Sequence, residues 1–402
     1  MRNALIGTKQ TLSSMRFVDV VRPEELIALV VFLLGALHVG QQVGLLMMFV
    51  GLAMLAFRTQ GKRVLNVPIL LFLLVVALKD CLTAVSLSSQ GLPAFLLYES
   101  IIYAACWLLL ATNLFSLSIE TIALAIISVL MYTDAVYLIS VLSEGYSRVL
   151  VESVGASVNL LAAFNLISLP FMFSLVSRPG INVTVRFLAK CSILLSELIV
   201  LLSGSRASII ILIVLLALVF FIGRGAVKED RLKKALLFNL IVVGVLVALY
   251  AANDLQAGIV SLGLDRFFSK LSEQDSDRLI FFSQGWNAFL QSNLWIGSGD
   301  TRTYINFAGM ILFSQPHNVF LEILLESGFI GLVLFVVGQI LFLKEVISNS
   351  EPGPERALAG LTYFSGFAVS LVNPFMTSSM AFVALLVFCV AGLAVSSRRT
   401  SR

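Results

Sequence analysis

Between Arg206 and Arg224 the sequence reads ASIIILIVLLALVFFIG, a run of 17 residues in which no side chain is charged. An α-helix rises about 1.5 Å per residue, so this run alone nearly crosses the hydrocarbon core of a bilayer. The whole chain has the same character: of its 402 residues 59% are hydrophobic and 12% charged, against about a quarter charged in soluble proteins. A soluble core cannot bury so much apolar surface, and the composition therefore predicts an integral membrane protein.

Apolar runs of this kind recur along the chain and predict a polytopic, all-α protein with about 12 membrane spans. They lie near residues 25–39, 44–57, 66–87, 94–116, 118–141, 159–177, 183–202, 207–222, 235–252, 318–343, 357–372 and 378–395. No small-residue cleavage site follows the first run, which we interpret as a retained anchor. Residues 1–402 are thus predicted to form a single integral membrane domain.

The lysines and arginines predict which side each connection faces. With a cytoplasmic N-terminus, 19 of the 27 basic residues lie at cytoplasmic ends of the spans. Membrane proteins concentrate positive charge on the cytoplasmic side, so both termini are predicted to be cytoplasmic. The four cysteines all lie inside apolar runs without a CxxC spacing, which indicates neither disulfides nor a zinc site.

One external connection, residues 253–317, is far longer than an ordinary link between helices. Its segment 255–271 mixes apolar and charged residues and is predicted to lie along the membrane surface. A second amphipathic helix is predicted to begin at Ser276, a good N-cap, and to end before the turn GSGD at 297–300. Together the two segments predict a lid over the membrane surface.

Three polar residues at the outer boundary of the membrane are candidates for chemistry: Arg206, Arg278 and His317. Each has a simpler interpretation when taken alone. Arg206 could extend toward lipid headgroups, Arg278 could pair with Asp277 or Asp275, and His317 could be structural. The second histidine, His38, has no supporting context and is given no role.

Taken together, the three side chains indicate a site for a phosphorylated donor. Two guanidinium groups suit a diphosphate, because each presents paired donors to phosphate oxygens. An imidazole suits removal of a proton from a sugar hydroxyl. His317 follows Pro316 at the start of a predicted helix, where the partial positive charge of the helix end favours the neutral imidazole that a base requires.

The sequence resembles the O-antigen ligase and polymerase family of bacterial membrane glycosyltransferases. The matching pieces are SRAS at 205–208, Asp277-Arg278, WIGSG at 295–299 and the run HNVFLEILLESGFIG at 317–331. The last is the most specific, with its His-Asn-x-x-Leu start, an acidic residue, Ser-Gly and a further glycine. The motifs cover about residues 200 to 335, and the earlier spans agree in number and hydropathy.

The resemblance implies an inverting glycan transfer at the periplasmic face of the bacterial inner membrane. Arg206 and Arg278 would bind the donor, a glycan linked to undecaprenyl diphosphate, and His317 would activate the acceptor hydroxyl. The expected partners are this donor, lipid A-core or another lipid-linked glycan as acceptor, and membrane lipids, with no nucleic acid. No metal and no cofactor are expected.

Three alternatives stay open. A polymerase joining lipid-linked repeat units would use the same three residues as a ligase that transfers finished polysaccharide to lipid A-core. A metal-dependent transferase could use Asp275 and Asp277, although Arg278 beside them would oppose a cation. A transporter could use charges within the spans. These charges are Lys79, Asp80, Glu99, Asp134, Lys190 and Glu197, which we interpret as buried pairs or groups extending to the span ends.

Overall fold

The computed structural model describes residues 21–37, 42–58, 117–144, 158–178, 180–203, 205–226, 276–298, 303–307, 310–314, 318–349 and 354–371, with scattered positions between 71 and 81. Its helices are α1 Pro23–Leu37, α2 Gln42–Arg58, α3 Ile119–Glu144, α4 Val158–Ser177, α5 Val183–Leu202, α6 Arg206–Ala226, α7 Ser276–Gln291, α8 Val319–Asn349 and α9 Pro354–Ser370. Its strands are β1 Thr303–Phe307 and β2 Met310–Ser314.

Every described helix except α7 coincides with an apolar run predicted to span the membrane. Among them, Ile119–Val141, Asn159–Ser177 and Val319–Leu341 are long and apolar enough to cross a bilayer. The chain is therefore a membrane-spanning helical protein. The predicted runs near 66–87, 94–116, 235–252 and 378–395 lie outside the described helices, and the count of 12 spans and the orientation of the termini stay predictions.

The centre of the described core is α4, which packs against α5 and α9, while α3 packs against α5. Every side chain of α4 from Leu160 to Phe173 is buried, as expected for a helix that is apolar on all its faces. A polar group in such a place needs a partner. The Asn165 amide donates to Asp134 Oδ1 at 2.9 Å and so joins α4 to α3.

Helix α8 is interrupted at Gly328, where φ is 61° and ψ is −161°. Before this break the helix is almost wholly buried, and beyond it one face is exposed. Helix α7 packs against α8, and α6 packs against α9, α4 and α5. The two helices that carry the candidate arginines in their first turns are thus both packed against membrane-spanning helices.

The long connection contains a short β-hairpin that was not predicted, within a predominantly helical protein. β1 pairs with β2 in antiparallel register, from Thr303 opposite Ser314 to Phe307 opposite Met310. The strand sequences TYINF and MILFS are rich in β-branched and aromatic residues, and Ala308-Gly309 separates them in the sequence. The sequence predicts only amphipathic helical segments in this connection, because the hydrophobic periodicity of a five-residue strand is much weaker than that of a helix.

Candidate active site

Arg206 begins α6, directly after a tight turn that ends α5. The Ser203 N–H donates to the Ile199 carbonyl at 2.9 Å, and the Ser203 hydroxyl donates to the Val200 carbonyl at 2.6 Å. The Ser205 N–H donates in turn to Ser203 Oγ at 3.3 Å. Serine hydroxyls can satisfy backbone groups that a helix end leaves without partners, and here they fix the path of the turn.

Ser205 is the N-cap of α6. Its Oγ accepts the Ser208 N–H at 3.4 Å and lies 2.9 Å from the Ser208 hydroxyl, while its carbonyl accepts the Ile209 N–H at 3.0 Å. Arg206 is then the first residue of the helix, where the partial positive charge of the helix end disfavours a cation. Helix stability does not explain an arginine at this position. A bound anion would be stabilised electrostatically by both the guanidinium group and the helix N-terminus.

A buried tyrosine ties the same turn to α3. Tyr137 is 1% exposed, and its hydroxyl donates to the Leu202 carbonyl at 3.3 Å. Leu202 is the last residue of α5 and lies four positions before Arg206. Sequence reasoning did not identify Tyr137, because a tyrosine within an apolar run looks like any other membrane residue until its partner is known.

Arg278 is the third residue of α7, which begins at Ser276 as predicted. Asp277 also lies in this first turn, where an acidic side chain is favourable and a cation is not. Arg278 therefore repeats the situation of Arg206. The other end of α7 is anchored on α8 by Phe289, which is 1% exposed. Phe289 packs in a buried cluster with Leu321, Leu324 and Leu325.

His317 lies outside the described residues, but the residue that follows it is fixed. Asn318 caps α8, with its Oδ1 accepting the N–H groups of Phe320 and Leu321 at 3.0 and 3.1 Å. The Asn318 amide also donates to the Leu371 carbonyl, just beyond α9, at 3.4 Å. His317 directly precedes this cap, in agreement with the predicted helix start. Arg206 and Arg278 thus lie at the N-terminal ends of helices, and His317 directly precedes the cap of a third helix in the sequence.

Two segments that carry the sequence motifs are joined through their backbones. We call residues 293–298 and 325–330 together the interlock. The Ser298 N–H and hydroxyl both donate to the Leu325 carbonyl, at 2.7 and 3.1 Å. The motif WIGSG and the motif ESGFIG therefore form one structural unit.

The break at Gly328 completes this unit. The Phe329 N–H donates to the Leu294 carbonyl at 2.9 Å, and the Ile330 N–H donates to the Trp295 carbonyl at 3.0 Å. Phe329 also contacts the Trp295 ring, with centroids 6.2 Å apart. Helix α8 opens at this point to bind the segment that follows α7.

Two glycines permit this close approach. Gly297 and Gly328 have φ of 72° and 61°, in the left-handed region that residues with a side chain rarely occupy. A Cβ on Gly297 would lie 2.6 Å from the Leu325 carbonyl oxygen, and one on Gly328 would collide with the Trp295 backbone. The sequence showed both glycines as motif members, but only the structure shows that they meet.

The structure therefore fixes the surroundings of the predicted site and leaves its side-chain geometry as a prediction. The Arg206 and Arg278 side chains lie outside the described residues, as does His317. Helix α7, which bears Arg278, is in contact with α8, which begins two residues after His317 in the sequence. Arg206 belongs to α6, which packs against α9, the helix after which Leu371 meets Asn318.

The charges within the spans have different environments. Asp134 is fully buried and accepts from Asn165, in agreement with the interpretation as a buried pair. Lys190 is exposed, whereas Glu197 is 2% exposed, so these two residues of α5 do not share one environment despite their spacing of seven. Among the described residues, no cluster of three or more His, Cys, Asp and Glu could hold a metal ion. Asp275 lies outside them.

A comparison with protein families bears on the segment that carries these features. No match to the chain is found among curated proteins. Residues 191–336 match the family model described as O-antigen ligase. The matched segment includes Arg206, Arg278, His317 and the interlock, and it confirms the resemblance expected from the motifs. Over residues 191–336 this membrane protein is therefore similar to the O-antigen ligase family.

Proposed function

We propose that this protein is a glycosyltransferase of the O-antigen ligase type. It transfers a glycan from undecaprenyl diphosphate to a hydroxyl of lipid A-core at the periplasmic face of the inner membrane. The observation that carries the proposal is the match of residues 191–336 to the O-antigen ligase family, which includes all three candidate residues. The membrane-spanning helices agree with a lipid-linked substrate.

In this proposal Arg206 and Arg278 bind the donor diphosphate. Both lie in the first turn of a helix, where N–H groups without partners in the helix add to the attraction for an anion. Diphosphate is a good leaving group, so the main catalytic requirement is to neutralise charge as the glycosidic bond breaks. Two arginines meet that requirement without a metal ion.

His317 acts as the general base. It accepts the proton of the acceptor hydroxyl while the hydroxyl oxygen attacks the anomeric carbon and the diphosphate leaves from the opposite side, which inverts the configuration. The proposal gains support from Asn318, whose cap fixes the backbone beside His317 at the start of α8. A neutral imidazole is favoured there by the positive end of the helix.

A polymerase that joins lipid-linked repeat units is the second candidate. The stretch of sequence from Arg278 to His317 is compact for a ligase, and the part of it that the structure describes between α7 and α8 includes a short hairpin. The two functions share the donor, the arginines and the base. They differ only in the acceptor.

Transfer by the purified full-length protein in nanodiscs tests the proposal. The donor is an undecaprenyl diphosphate-linked glycan, offered with lipid A-core or with further repeat units, in the presence and absence of EDTA. Product on lipid A-core supports the ligase, and a ladder of lengthening lipid-linked chains supports the polymerase instead. Loss of activity in EDTA with recovery in Mg²⁺ or Mn²⁺ contradicts the metal-independent mechanism. No product with either acceptor overturns the proposal.

A further inference from the structure

Helix α7 exposes an apolar stripe along one side. Phe282, Trp286 and Leu290 are spaced by four residues, lie on one face of the helix, and are 44%, 42% and 53% exposed. The neighbouring stripe of Ser283, Asn287 and Gln291 is also exposed but polar. Phe289, on the remaining side, packs on α8. The exposed surface of α7 is therefore divided lengthwise into an apolar half and a polar half.

The sequence around the stripe contains no charge. From residue 279 to residue 299 there is no Asp, Glu, Lys or Arg, and Arg278 and Asp300 border this stretch. An exposed helix in water normally carries charges on its outer face. A helix with a wide apolar face and an uncharged polar face suits the boundary between lipid headgroups and acyl chains.

The apolar stripe continues onto the exposed face of a membrane span. Trp295, in the interlock, is 69% exposed, and its ring lies against Phe329 at the break in α8. Between Phe329 and Leu341 the exposed residues of α8 are Phe329, Ile330, Val333, Val336, Val337 and Ile340. This face belongs to the candidate span Val319–Leu341, where exposed apolar side chains are expected to contact lipid. The stripe and the lipid-contacting face of α8 form one surface.

The position of α7 along α8 places the stripe at the edge of the bilayer. Phe289 packs against Leu321, Leu324 and Leu325 and contacts Phe329, all within the first three turns of the span. Three turns rise about 16 Å, a stretch that includes the depth of about 5–10 Å to which an interfacial helix sinks its apolar face. Tryptophan is enriched at membrane interfaces, and this region contains both Trp286 and Trp295.

We infer that α7 is an interfacial helix whose apolar stripe lies in the acyl chains of the leaflet at the Val319 end of α8. Its partner on this face is the lipid bilayer. The polar stripe of Ser283, Asn287 and Gln291 faces the headgroups or water. The interlock and Phe289 hold α7 at this depth. The segment that begins with Arg278 thus belongs to the membrane surface, and this inference does not depend on the proposed reaction.

Depth-dependent quenching of tryptophan fluorescence tests the inference. The full-length protein with Trp107→Phe and Trp295→Phe retains Trp286 and is reconstituted in phosphatidylcholine vesicles with brominated acyl chains. The matched control adds Trp286→Phe and Asn287→Trp, which moves the reporter to the polar stripe. We expect the bromolipid to quench Trp286 about twofold more than the control tryptophan, and aqueous iodide to show the reverse order.

A second pair of tryptophan reporters controls for structural disruption by any single substitution. In the background lacking all three native tryptophans, Leu290→Trp tests the apolar stripe and Gln291→Trp the polar stripe. Equal iodide quenching at both stripes overturns the inference, because α7 would then be surrounded by water. Protection of the apolar stripe from both bromolipid and iodide also overturns it, because protein would then cover the stripe.

Discussion

The carbonyl oxygen of Leu325 accepts two hydrogen bonds from Ser298, one from the backbone N–H at 2.7 Å and one from the hydroxyl at 3.1 Å. In an uninterrupted helix this carbonyl would accept from the Phe329 N–H, four residues on. Here the Phe329 N–H donates to Leu294. At Gly328, helix α8 thus replaces hydrogen bonds within the helix by hydrogen bonds to the segment that follows α7. The break is the place where the two sequence motifs contact each other.

Replacing Gly328 should disrupt this contact. Gly328→Ala forces a side chain into the left-handed region and against the Trp295 backbone. We expect a loss of about 2 kcal/mol or more in stability, with lower transfer activity. Thermal unfolding in detergent measures the loss. Gly360→Ala is the control, since a Cβ at Gly360 meets no atom within 4 Å. Equal stability of the two variants would contradict the role given to Gly328.

Removing the Tyr137 hydroxyl should loosen the turn that carries Arg206. Tyr137→Phe keeps the buried ring and removes the donor to the Leu202 carbonyl. We expect a stability loss of about 1 kcal/mol and a higher KM for the lipid-linked donor with kcat less affected. Tyr132→Phe is the control, because Tyr132 lies on the same helix and is 44% exposed. An unchanged KM would show that the tyrosine is only structural.

The pair Asp134 and Asn165 should behave as one unit. Asn165→Leu removes the donor to the fully buried Asp134 carboxyl group, and we expect a loss of about 1–3 kcal/mol in stability. Adding Asp134→Leu removes the polar group that was left behind and should recover most of the stability. A double-mutant cycle on unfolding in detergent measures the coupling. Additive losses would show that the two side chains do not stabilise each other.

Arg206→Lys should not be a conservative change. Lysine keeps the charge but loses the paired donors that match phosphate oxygens, and we expect kcat/KM for the donor to fall about tenfold or more. Arg224→Lys, near the other end of α6, is the matched control and should leave the rate near wild type. Initial rates on the purified variants give the comparison. Full activity of Arg206→Lys would remove Arg206 from the donor site.

The proposed base predicts a dependence on pH. Only the neutral imidazole accepts a proton, so kcat/KM should fall as the pH decreases through the usual titration range of histidine. His317→Gln should lower kcat by about a hundredfold or more, whereas His38→Gln should have little effect. Rates measured between pH 5 and 8, within the histidine range, test both points. A flat profile in the wild-type protein would argue against His317 as the base.

The sequence predicted the helices well because lipid imposes a simple requirement. A span must be long, apolar and helical, so runs such as 159–177 identified α4 almost to the residue. The start of α7 was also predicted, because Ser276 is a recognisable cap. Arg206 was correctly placed at the boundary of an apolar run, and the structure adds that it is the first residue of α6.

The contacts between distant segments could not be predicted in the same way. The hairpin of β1 and β2 has strands of only five residues, and a short apolar segment does not distinguish a strand from a helix. The pairing of Ser298 with Leu325 and of Tyr137 with Leu202 depends on which helices pack together. Hydropathy carries no information on that choice, because lipid-facing and buried side chains are equally apolar.

The interlock also closes the chain segment between α7 and α8 into a loop. Ser298 and Leu325 hold together the two ends of the chain segment that contains the hairpin and His317. Doubling the length of a tethered loop costs only about 0.6 kcal/mol in closure entropy. The hairpin can therefore lengthen, shorten or be replaced while α7 and α8 keep their places.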